Sequence, residues 1–343
     1  MILVSFLIAG CVLGSANRQT ATPTGDQVAS WYQVYFTDPT APDAGSYRGG
    51  PDADLAAAID RARLSIDAAF DTLDLWSLRD AMIEAHRRGV TVRVVVESDN
   101  LEVEEVRALS EAGIQVLGDR REGMMHNKFF ILDRQEVWTG SMNFTVRGGY
   151  TANNNLLRLR SPMLVEDYLA EFEEMFTDDR FGPGSPSNIP HPRFQEQGTR
   201  LEVYFSPDDG VADQIARLVR GAEENISFLA FSFTSDEIAA ALLERLDQGV
   251  SVAGVFDASQ YEQNTGTEFD RLLQAGAEVR LDGNPGSMHH KVIVIDDRIV
   301  ITGSYNFSRN AEERNDENTL VIHDPDIARL YLEEFRRVFE LAK

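Results

Sequence analysis

Two eight-residue stretches decide how this chain folds: His-Asn-Lys-Phe-Phe-Ile-Leu-Asp at 126–133 and His-His-Lys-Val-Ile-Val-Ile-Asp at 289–296. Both read H-x-K-x4-D, and the apolar run between the lysine and the aspartate is typical of a buried strand. The chain has only three lysines among its 32 Lys and Arg residues, and Lys128 and Lys291 occupy the same place in the two stretches. Lysine is a compact point charge and arginine a planar fork, so we expect both positions to require lysine.

The two stretches belong to a long internal duplication. Each is followed by a second matching segment, Gly-Ser-Met-Asn-Phe-Thr at 140–145 and Gly-Ser-Tyr-Asn-Phe-Ser at 303–308, at the same offset of 163 residues. Repeats of this length predict two copies of one structural unit. We therefore expect two similar domains, at 31–176 and 201–343, joined by a linker at 177–200 that is rich in Pro, Gly, Ser and Asn.

Within each half the pattern alternates between strands and helices, which predicts an α/β fold with mixed sheets flanked by helices. In the first half we predict helices at 52–63, 78–88, 102–112 and 163–176, and strands at 64–70, 90–97, 114–117, 128–132 and 137–139. In the second half we predict helices at 211–224, 236–248, 267–275 and 325–341, and strands at 226–233, 250–256, 277–281, 291–295 and 299–302.

Strand parity predicts which side chains of the motifs lie together. Residues i and i+2 of a strand share a face, so His126 lies with Lys128 and His289 with Lys291. By the same rule Ser141 lies with Asn143, and Ser304 with Asn306. His290 points the other way and is predicted to be structural. Asp133 and Asp296 also leave the His/Lys face, and we expect them to hold turns or accept backbone hydrogen bonds.

Each half thus offers one imidazole, one ammonium, one hydroxyl and one amide. Two halves facing each other across a pseudo-twofold axis would supply the groups needed for displacement at a phosphodiester. One histidine would attack phosphorus and the other would protonate the leaving oxygen, while the lysines and asparagines held the non-bridging oxygens. This chemistry requires no metal or cofactor, and the sequence shows no clear metal-ligand cluster.

These paired motifs resemble those of the phospholipase D superfamily, which is marked by two H-x-K-x4-D motifs, each followed by Gly-Ser-x-Asn. The resemblance covers nearly the whole chain from about residue 30. It implies two phospholipase D-like α-β-α domains, the two-histidine mechanism, and a site complete in one chain, which we expect to be a monomer. The implied catalytic residues are His126, Lys128, Asn143, His289, Lys291, Asn306 and Glu317, with Asp133, Ser141, Asn154, Asp296 and Ser304 in support.

One departure from that family pattern concerns a glutamate that hydrogen-bonds an active-site histidine. The second half has Glu317, whereas Asn154 stands at the equivalent position of the first half. A carboxylate at Nδ1 raises the basicity of an imidazole, whereas an amide only orients it. Glu317 could pair within its own half or across the halves. By analogy with two-domain relatives we predict that His126 is the nucleophile and His289 the acid.

The first eleven residues predict an export signal. Residues 2–9 are nearly all apolar, and Ile-Ala-Gly-Cys at 8–11 resembles a bacterial lipobox, although no basic residue precedes the apolar run. We expect cleavage before Cys11, lipidation of its sulfur, a linker at 12–30 and a membrane-anchored lipoprotein of the cell envelope. Cys11 is the only cysteine, so no intrachain disulfide can form.

The sequence leaves the identity of the phosphodiester open. The net charge of −24 disfavours polyanionic nucleic acid at long range, and the expected anchor places the chain at a membrane. We therefore favour hydrolysis of a phospholipid head group. A metal-independent endonuclease of the same superfamily is the alternative, since compact bacterial nucleases look much like residues 303–318. A cardiolipin synthase-like transferase and a non-catalytic binding module are less favoured.

Overall fold

A computed structural model describes residues 30–42 and 44–343, in which each half of the chain builds one mixed sheet flanked by helices. The first-half strands are β1 Tyr32–Phe36, β2 Ser65–Phe70, β3 Thr91–Val96, β4 Gln115–Gly118, β5 Lys128–Leu132, β6 Glu136–Gly140, β7 Ala152–Asn153 and β8 Asn155–Leu159. The first-half helices are α1 Pro51–Arg61, α2 Trp76–Arg87, α3 Glu104–Glu111 and α4 Pro162–Phe176. A single π-helical turn spans Arg147–Thr151.

The second half repeats this order. Its strands are β9 Arg193–Glu196, β10 Thr199–Ser206, β11 Asn225–Ala230, β12 Ser251–Phe256, β13 Glu278–Leu281, β14 Ser287–Met288, β15 Lys291–Ile295, β16 Ile299–Gly303 and β17 Glu317–His323. Its helices are α5 Val211–Arg220, α6 Asp236–Asp247, α7 Ala258–Gln263, α8 Phe269–Gln274, α9 Arg309–Glu313 and α10 Pro325–Leu341. The predicted α/β class with two similar, mixed-sheet domains is confirmed.

Both sheets combine a parallel and an antiparallel part. The first has the order β1-β8-β6-β5-β2-β3-β4, and the second β13-β12-β11-β15-β16-β17-β10-β9. In each, the strand of the H-x-K motif pairs antiparallel with the first strand of a parallel trio, β5 with β2 and β15 with β11. The motif strands therefore lie in the middle of their sheets, where all five residues of each are buried.

Apolar side chains form three clusters, and one of them is common to the two halves. α1, α2 and α3 pack on the outer face of the first sheet, and α5, α6 and α8 on the outer face of the second. The shared cluster lies between the sheets and combines residues of α4 and α10 with inward-facing residues of both sheets. The two halves therefore bury one continuous core against each other.

The halves also exchange backbone hydrogen bonds around a pseudo-twofold axis. The amide of His126 donates to the carbonyl of Asp316 at 2.9 Å, and the amide of His289 donates to the carbonyl of Asn153 at 2.9 Å. β14 pairs with β7, and Met125 bridges to Asp316 in the matching place. The backbone amide of each motif histidine is thus bound by the other half, at the residue directly before Glu317 or Asn154.

The aspartates that end the two motifs make hairpin turns. Asp133 has φ 52°, and Asp296 has φ 49°, and the residue after each is also left-handed. The Asp133 carboxylate accepts three consecutive backbone amides, of Arg63, Leu64 and Ser65, at 2.6–3.1 Å. Asp296 does the same for residues 223–225. The prediction that these aspartates hold turns is confirmed.

The glycines that open Gly-Ser-x-Asn are required by close backbone packing. A Cβ at Gly140 would lie 2.4 Å from the carbonyl oxygen of Asn155, and one at Gly303 would lie 2.2 Å from that of Asn318. Both also have positive φ, 154° and 149°. Only glycine allows β6 and β16 to approach β8 and β17 this closely.

Some element predictions need correction. β8 and β17 were not predicted, because both open with buried polar residues that resemble a loop in sequence. These residues are Asn155 in β8 and Glu317 to Thr319 in β17. The strand predicted at 226–233 ends at Ala230, since Phe231 leaves the sheet for the site. Within the segment interpreted as a linker, residues 193–196 form edge strand β9. Over residues 30–42 and 44–343 no helix is long and apolar enough to cross a membrane.

Candidate active site

Each motif lysine lies beside the histidine two residues before it. The Nζ of Lys128, the first residue of β5, donates to the carbonyl of His126 at 2.8 Å. Lys291, the first residue of β15, makes the same bond to His289 at 2.8 Å and also reaches the Nε2 of that ring at 3.1 Å. Both lysines are buried. The H-x-K spacing thus holds an imidazole and an ammonium side by side.

The Nδ1 atom of each histidine is bound by the opposite half. His126 Nδ1 lies 2.7 Å from Oε2 of Glu317, and His289 Nδ1 lies 3.0 Å from Oδ1 of Asn154. Glu317 therefore pairs across the halves, which resolves the alternative that the sequence left open. Because a carboxylate can only accept, His126 carries its proton on Nδ1 and keeps the Nε2 lone pair.

The amide of Asn154 is oriented by the π-helical turn. Its Nδ2 donates to the carbonyl of Gly148 at 2.9 Å, so its Oδ1 must face His289. His289 therefore also holds a proton on Nδ1, and its Nε2 accepts a hydrogen bond from Lys291 Nζ at 3.1 Å. Ser141 and Ser304 lie beneath these partners rather than in the cleft: Ser141 donates to Asn154 at 2.9 Å and Ser304 to Glu317 at 2.7 Å.

Asn143 and Asn306 stand at equivalent places of the repeat, two residues after the buried serines. Within the described part of the chain neither side chain makes a hydrogen bond, and the Oδ1 of each is buried without a partner. Both residues are partly exposed. An amide without a protein partner can hold a non-bridging oxygen of a phosphate.

The two lysines have different neighbours. Lys128 Nζ lies 3.9 Å from the carboxylate of Asp71, the residue that follows β2. The equivalent residue after β11 is Phe231, whose ring lies 4.7 Å from Lys291 Nζ and 4.4 Å from the His289 ring. The His126 side therefore has two carboxylates, Asp71 and Glu317, and the His289 side has an aromatic ring and an amide.

Burial and repulsion act together on the His289 side. Burial, with the charges of Lys291 and Lys128, lowers the pKa of His289 well below its usual value. Burial and the charge of Lys128 likewise lower the pKa of Lys291 well below its usual value. The pKa of Lys128 is also lowered by burial, and the carboxylates of Asp71 and Glu317 oppose the shift at both lysines. An anion between the lysines would relieve this repulsion, so the electrostatics of the cleft favour a phosphate there.

The remaining predicted residues lie elsewhere. Asp133 and Asp296 are at the far ends of β5 and β15, away from the histidines. His290 is buried and faces away from the cleft, as parity predicted, with Nε2 2.9 Å from Glu334. Cys11 lies outside the described residues. Among residues 30–42 and 44–343, no group of three or more His, Cys, Asp or Glu is placed to hold a metal ion.

Sequence reasoning missed four residues at the site: Asp71 and Phe231 beside the lysines, and Asn155 and Asn318 beneath the serines. Asn155 and Asn318 are related by the same offset of 163 as the motifs, and both follow the Asn154 and Glu317 positions directly. The repeat alignment was the signal that could have found them. Asp71 and Phe231 differ in residue type, so the alignment alone gives no reason to pair them.

Comparison with known proteins agrees with this geometry. Residues 55–176 and 215–339 match the sequence profile described as "Cardiolipin synthase, PLD-like domain". The human mitochondrial cardiolipin hydrolase is 35% identical over 132 residues, which are 38% of this chain and 52% of that protein. A phospholipase D of Rickettsia bellii (strain RML369-C) is 35% identical over 151 residues, which are 44% of this chain and 75% of that protein.

One solved structure matches nearly the whole fold. The phosphatidylserine synthase of Haemophilus influenzae Rd KW20 aligns with a TM-score of 0.65 at 14% identity, covering 90% of this chain and 86% of that one. This likeness extends over both sheets and shows the fold. Together with the profile match in both halves and the paired H-x-K-x4-D motifs, it shows that the chain belongs to the phospholipase D superfamily, with two phospholipase D-like domains in one chain.

Proposed function

We propose that the chain hydrolyses a phosphodiester through a covalent intermediate on histidine. The observation that carries this proposal is the convergence of two imidazoles from opposite halves, each bound at Nδ1, next to two lysines. An attacking nitrogen and a proton donor on opposite sides of phosphorus are what in-line displacement needs.

In the first step we assign the attack to His126. Its Nε2 lone pair forms a bond to phosphorus, the bond to the leaving oxygen breaks, and that oxygen takes a proton from Nε2 of protonated His289. The positive charge that develops on the His126 ring is stabilised by the Glu317 carboxylate 2.7 Å from Nδ1. Asn154 gives His289 no such charge, which supports its role as the group that releases a proton.

The second step reverses the roles. A water molecule gives its proton to His289 Nε2, its oxygen bonds to phosphorus, and the nitrogen–phosphorus bond returns its electrons to His126. Lys128, Lys291, Asn143 and Asn306 would hold the non-bridging oxygens throughout. The negative substrate also offsets the lysine repulsion that lowers the pKa of His289, which favours the protonated acid in the complex.

We favour a phospholipid as the substrate. The net charge of −24 opposes the approach of nucleic acid, and the relatives bear the names phospholipase D and cardiolipin hydrolase. Half-exposed Phe231 also offers an apolar surface beside the acid, His289. We further propose that Cys11 carries a lipid that holds the chain at a membrane of the cell envelope; loss of fatty-acid labelling in Cys11→Ser would support this, and an unlabelled wild type would contradict it.

The substrate can be tested directly with protein lacking residues 1–11 in the presence of a chelator. Vesicles of phosphatidylcholine or cardiolipin are assayed for head-group release in parallel with single-stranded DNA, and the His126→Ala/His289→Ala double variant is the control. We expect release from vesicles and intact DNA. Cleavage of DNA without lipid turnover would replace the phospholipid by nucleic acid, and no turnover of either would refute the proposed activity on these substrates.

A further inference from the structure

A second layer of buried polar residues lies under the two histidines and is repeated in both halves. Under His289, hydrogen bonds link Asn154 with Ser141, Ser141 with Asn155, and Asn155 with His290. Under His126, the matching bonds run through Glu317, Ser304, Asn318 and Asn127. Each chain ends on a buried glutamate, Glu334 for His290 and Glu171 for Asn127. All of these residues are buried.

The direction of each bond in this layer follows from the groups that can only donate or only accept. The backbone N–H of Asn155 donates to Ser141 Oγ at 3.1 Å, and the side-chain amide of Asn155 donates to the same oxygen at 3.3 Å. With both lone pairs occupied, the single Ser141 proton must go to Asn154. Asn154 Oδ1 then has one lone pair left, and this lone pair accepts the hydrogen bond from Nδ1 of His289.

The Asn155 amide is turned by His290, which donates from Nε2 to the Glu334 carboxylate and so keeps a lone pair on Nδ1. Hydroxyls of Thr302 and Tyr331 lie 3.1 and 3.3 Å from Asn155 Oδ1, so Nδ2 faces the His290 Nδ1 at 3.2 Å. His290 must therefore accept on Nδ1 and donate from Nε2 to the Glu334 carboxylate. In the first half Asn127 offers the same pair of functions, with Oδ1 accepting from Asn318 and Nδ2 donating to Glu171.

We infer that His290 and Asn127 are positioning residues: through one amide and one serine each, they reinforce the Gly148 carbonyl, which orients Asn154, and the Glu317 carboxylate in fixing the ring nitrogen that holds the proton in the catalytic histidine of the same motif. Neither touches the substrate. The residue between the histidine and the lysine of each motif therefore has a defined requirement: one acceptor toward the neighbouring amide and one donor toward a buried glutamate. The inference deepens the proposed function and rests on it for its kinetic part only.

Ring-nitrogen NMR of the wild-type protein gives a test that needs neither a variant nor a substrate. We expect His290 to be protonated on Nε2 with a bare, hydrogen-bonded Nδ1, and His289 to be protonated on Nδ1. A His290 ring that carries its proton on Nδ1 would contradict the inference, because the hydrogen-bond chain to Asn155 would then be broken. This outcome is independent of any activity on phosphodiesters.

Two variants then separate positioning from packing. His290→Asn copies Asn127 and keeps both the acceptor and the donor, whereas His290→Phe keeps a planar ring and removes both. With bis(4-nitrophenyl) phosphate as the probe, we expect His290→Phe to lower kcat about tenfold with KM unchanged and to mix the two tautomers of His289. His290→Asn should retain wild-type kcat and tautomer. A folded His290→Phe protein with wild-type kcat and an unchanged His289 tautomer would overturn the inference.

Discussion

The two halves of the cleft present the same reactive groups but differ in the residues behind them. His126 and Lys128 are backed by carboxylates, Glu317 at the ring nitrogen and Asp71 near the ammonium. His289 and Lys291 are backed by the amide of Asn154 and the ring of Phe231. The side of His126 therefore carries more negative charge than the side of His289.

This difference shows how a near-symmetric fold can give its two histidines separate duties. A nucleophilic histidine gains positive charge when its nitrogen bonds to phosphorus, and a nearby carboxylate favours that state. A proton donor must lose its positive charge, and a buried site beside two lysines favours that loss. The polarity of the cleft therefore supports the proposed roles, which the H-x-K-x4-D pattern common to both halves does not distinguish.

The largest expected effect tests the direction of this polarity. His126→Ala and His289→Ala should each lower kcat about 10⁴–10⁶-fold, as removal of a central catalytic residue does elsewhere. With a diester labelled at phosphorus, a covalent adduct should accumulate in His289→Ala only, because that variant can still attack. Adduct trapped on His126→Ala would reverse the two assignments.

The next largest effect removes the charge behind His126. Glu317→Gln keeps the shape but loses a charge-assisted hydrogen bond, which is worth ~1.5–3 kcal/mol, so kcat should fall about 10–100-fold. Glu333→Gln makes the same chemical change on the exposed face of α10 and should leave kcat unchanged. Equal kcat values for the two variants would mean that the carboxylate at Nδ1 gives the nucleophile no advantage.

A third difference concerns stability rather than rate. Asp316 stands where the first half has Asn153; burial raises its pKa to about 7, although its ion pair with Arg121 opposes that shift. An unfolded aspartate has a pKa of ~3.9, so between pH 4 and 7 the folded protein binds more protons than the unfolded chain. Stability from this group is then present at low pH and is lost as pH rises toward 7.

Asp316→Asn should remove that dependence. Between pH 4.5 and 8 the wild type should lose about 3 kcal/mol of unfolding free energy relative to this variant, measured from urea midpoints at both pH values. Asp60→Asn, on the exposed surface of α1, serves as the control and should track the wild type. Parallel pH profiles for wild type and Asp316→Asn would show that the aspartate ionises normally in the folded protein.

The smallest of these effects tests the requirement for lysine. Lys128→Arg and Lys291→Arg keep the positive charge but place a larger, planar group in a buried slot, at a typical cost of ~1–3 kcal/mol. We expect kcat to fall about tenfold in each. The chain offers a matched control in its third lysine, Lys343→Arg, which is exposed at the C-terminal end. Near-normal kcat in either motif variant would show that charge alone is needed there.

Local sequence patterns were sufficient to predict the fold class and the motif strands. Period-2 parity correctly separated His290 from His289, and the turn chemistry of aspartate correctly placed Asp133 and Asp296 at hairpins. These predictions succeeded because they depend on geometry within a few residues of the chain. The duplication predicted in addition that the two domains face each other, since two copies of a half-site imply a facing pair.

The pairing of Glu317 with His126 could not be predicted in the same way. It depends on how the halves dock, and that is determined by α4, α10 and the shared core rather than by any local pattern. The roles of Asp71 and Phe231 were hidden for a related reason. Each follows the end of a strand in its own half, and only the folded chain brings them beside the lysines.

The core shared between the two sheets has a consequence for how this enzyme could diversify. In an assembly of two identical half-length subunits every residue occurs twice, so a substitution made for one histidine is also made for the other. Here the halves are one covalent chain around one core, and each position can change alone. A single chain can therefore hold Asp71 in the first half and Phe231 at the equivalent place of the second.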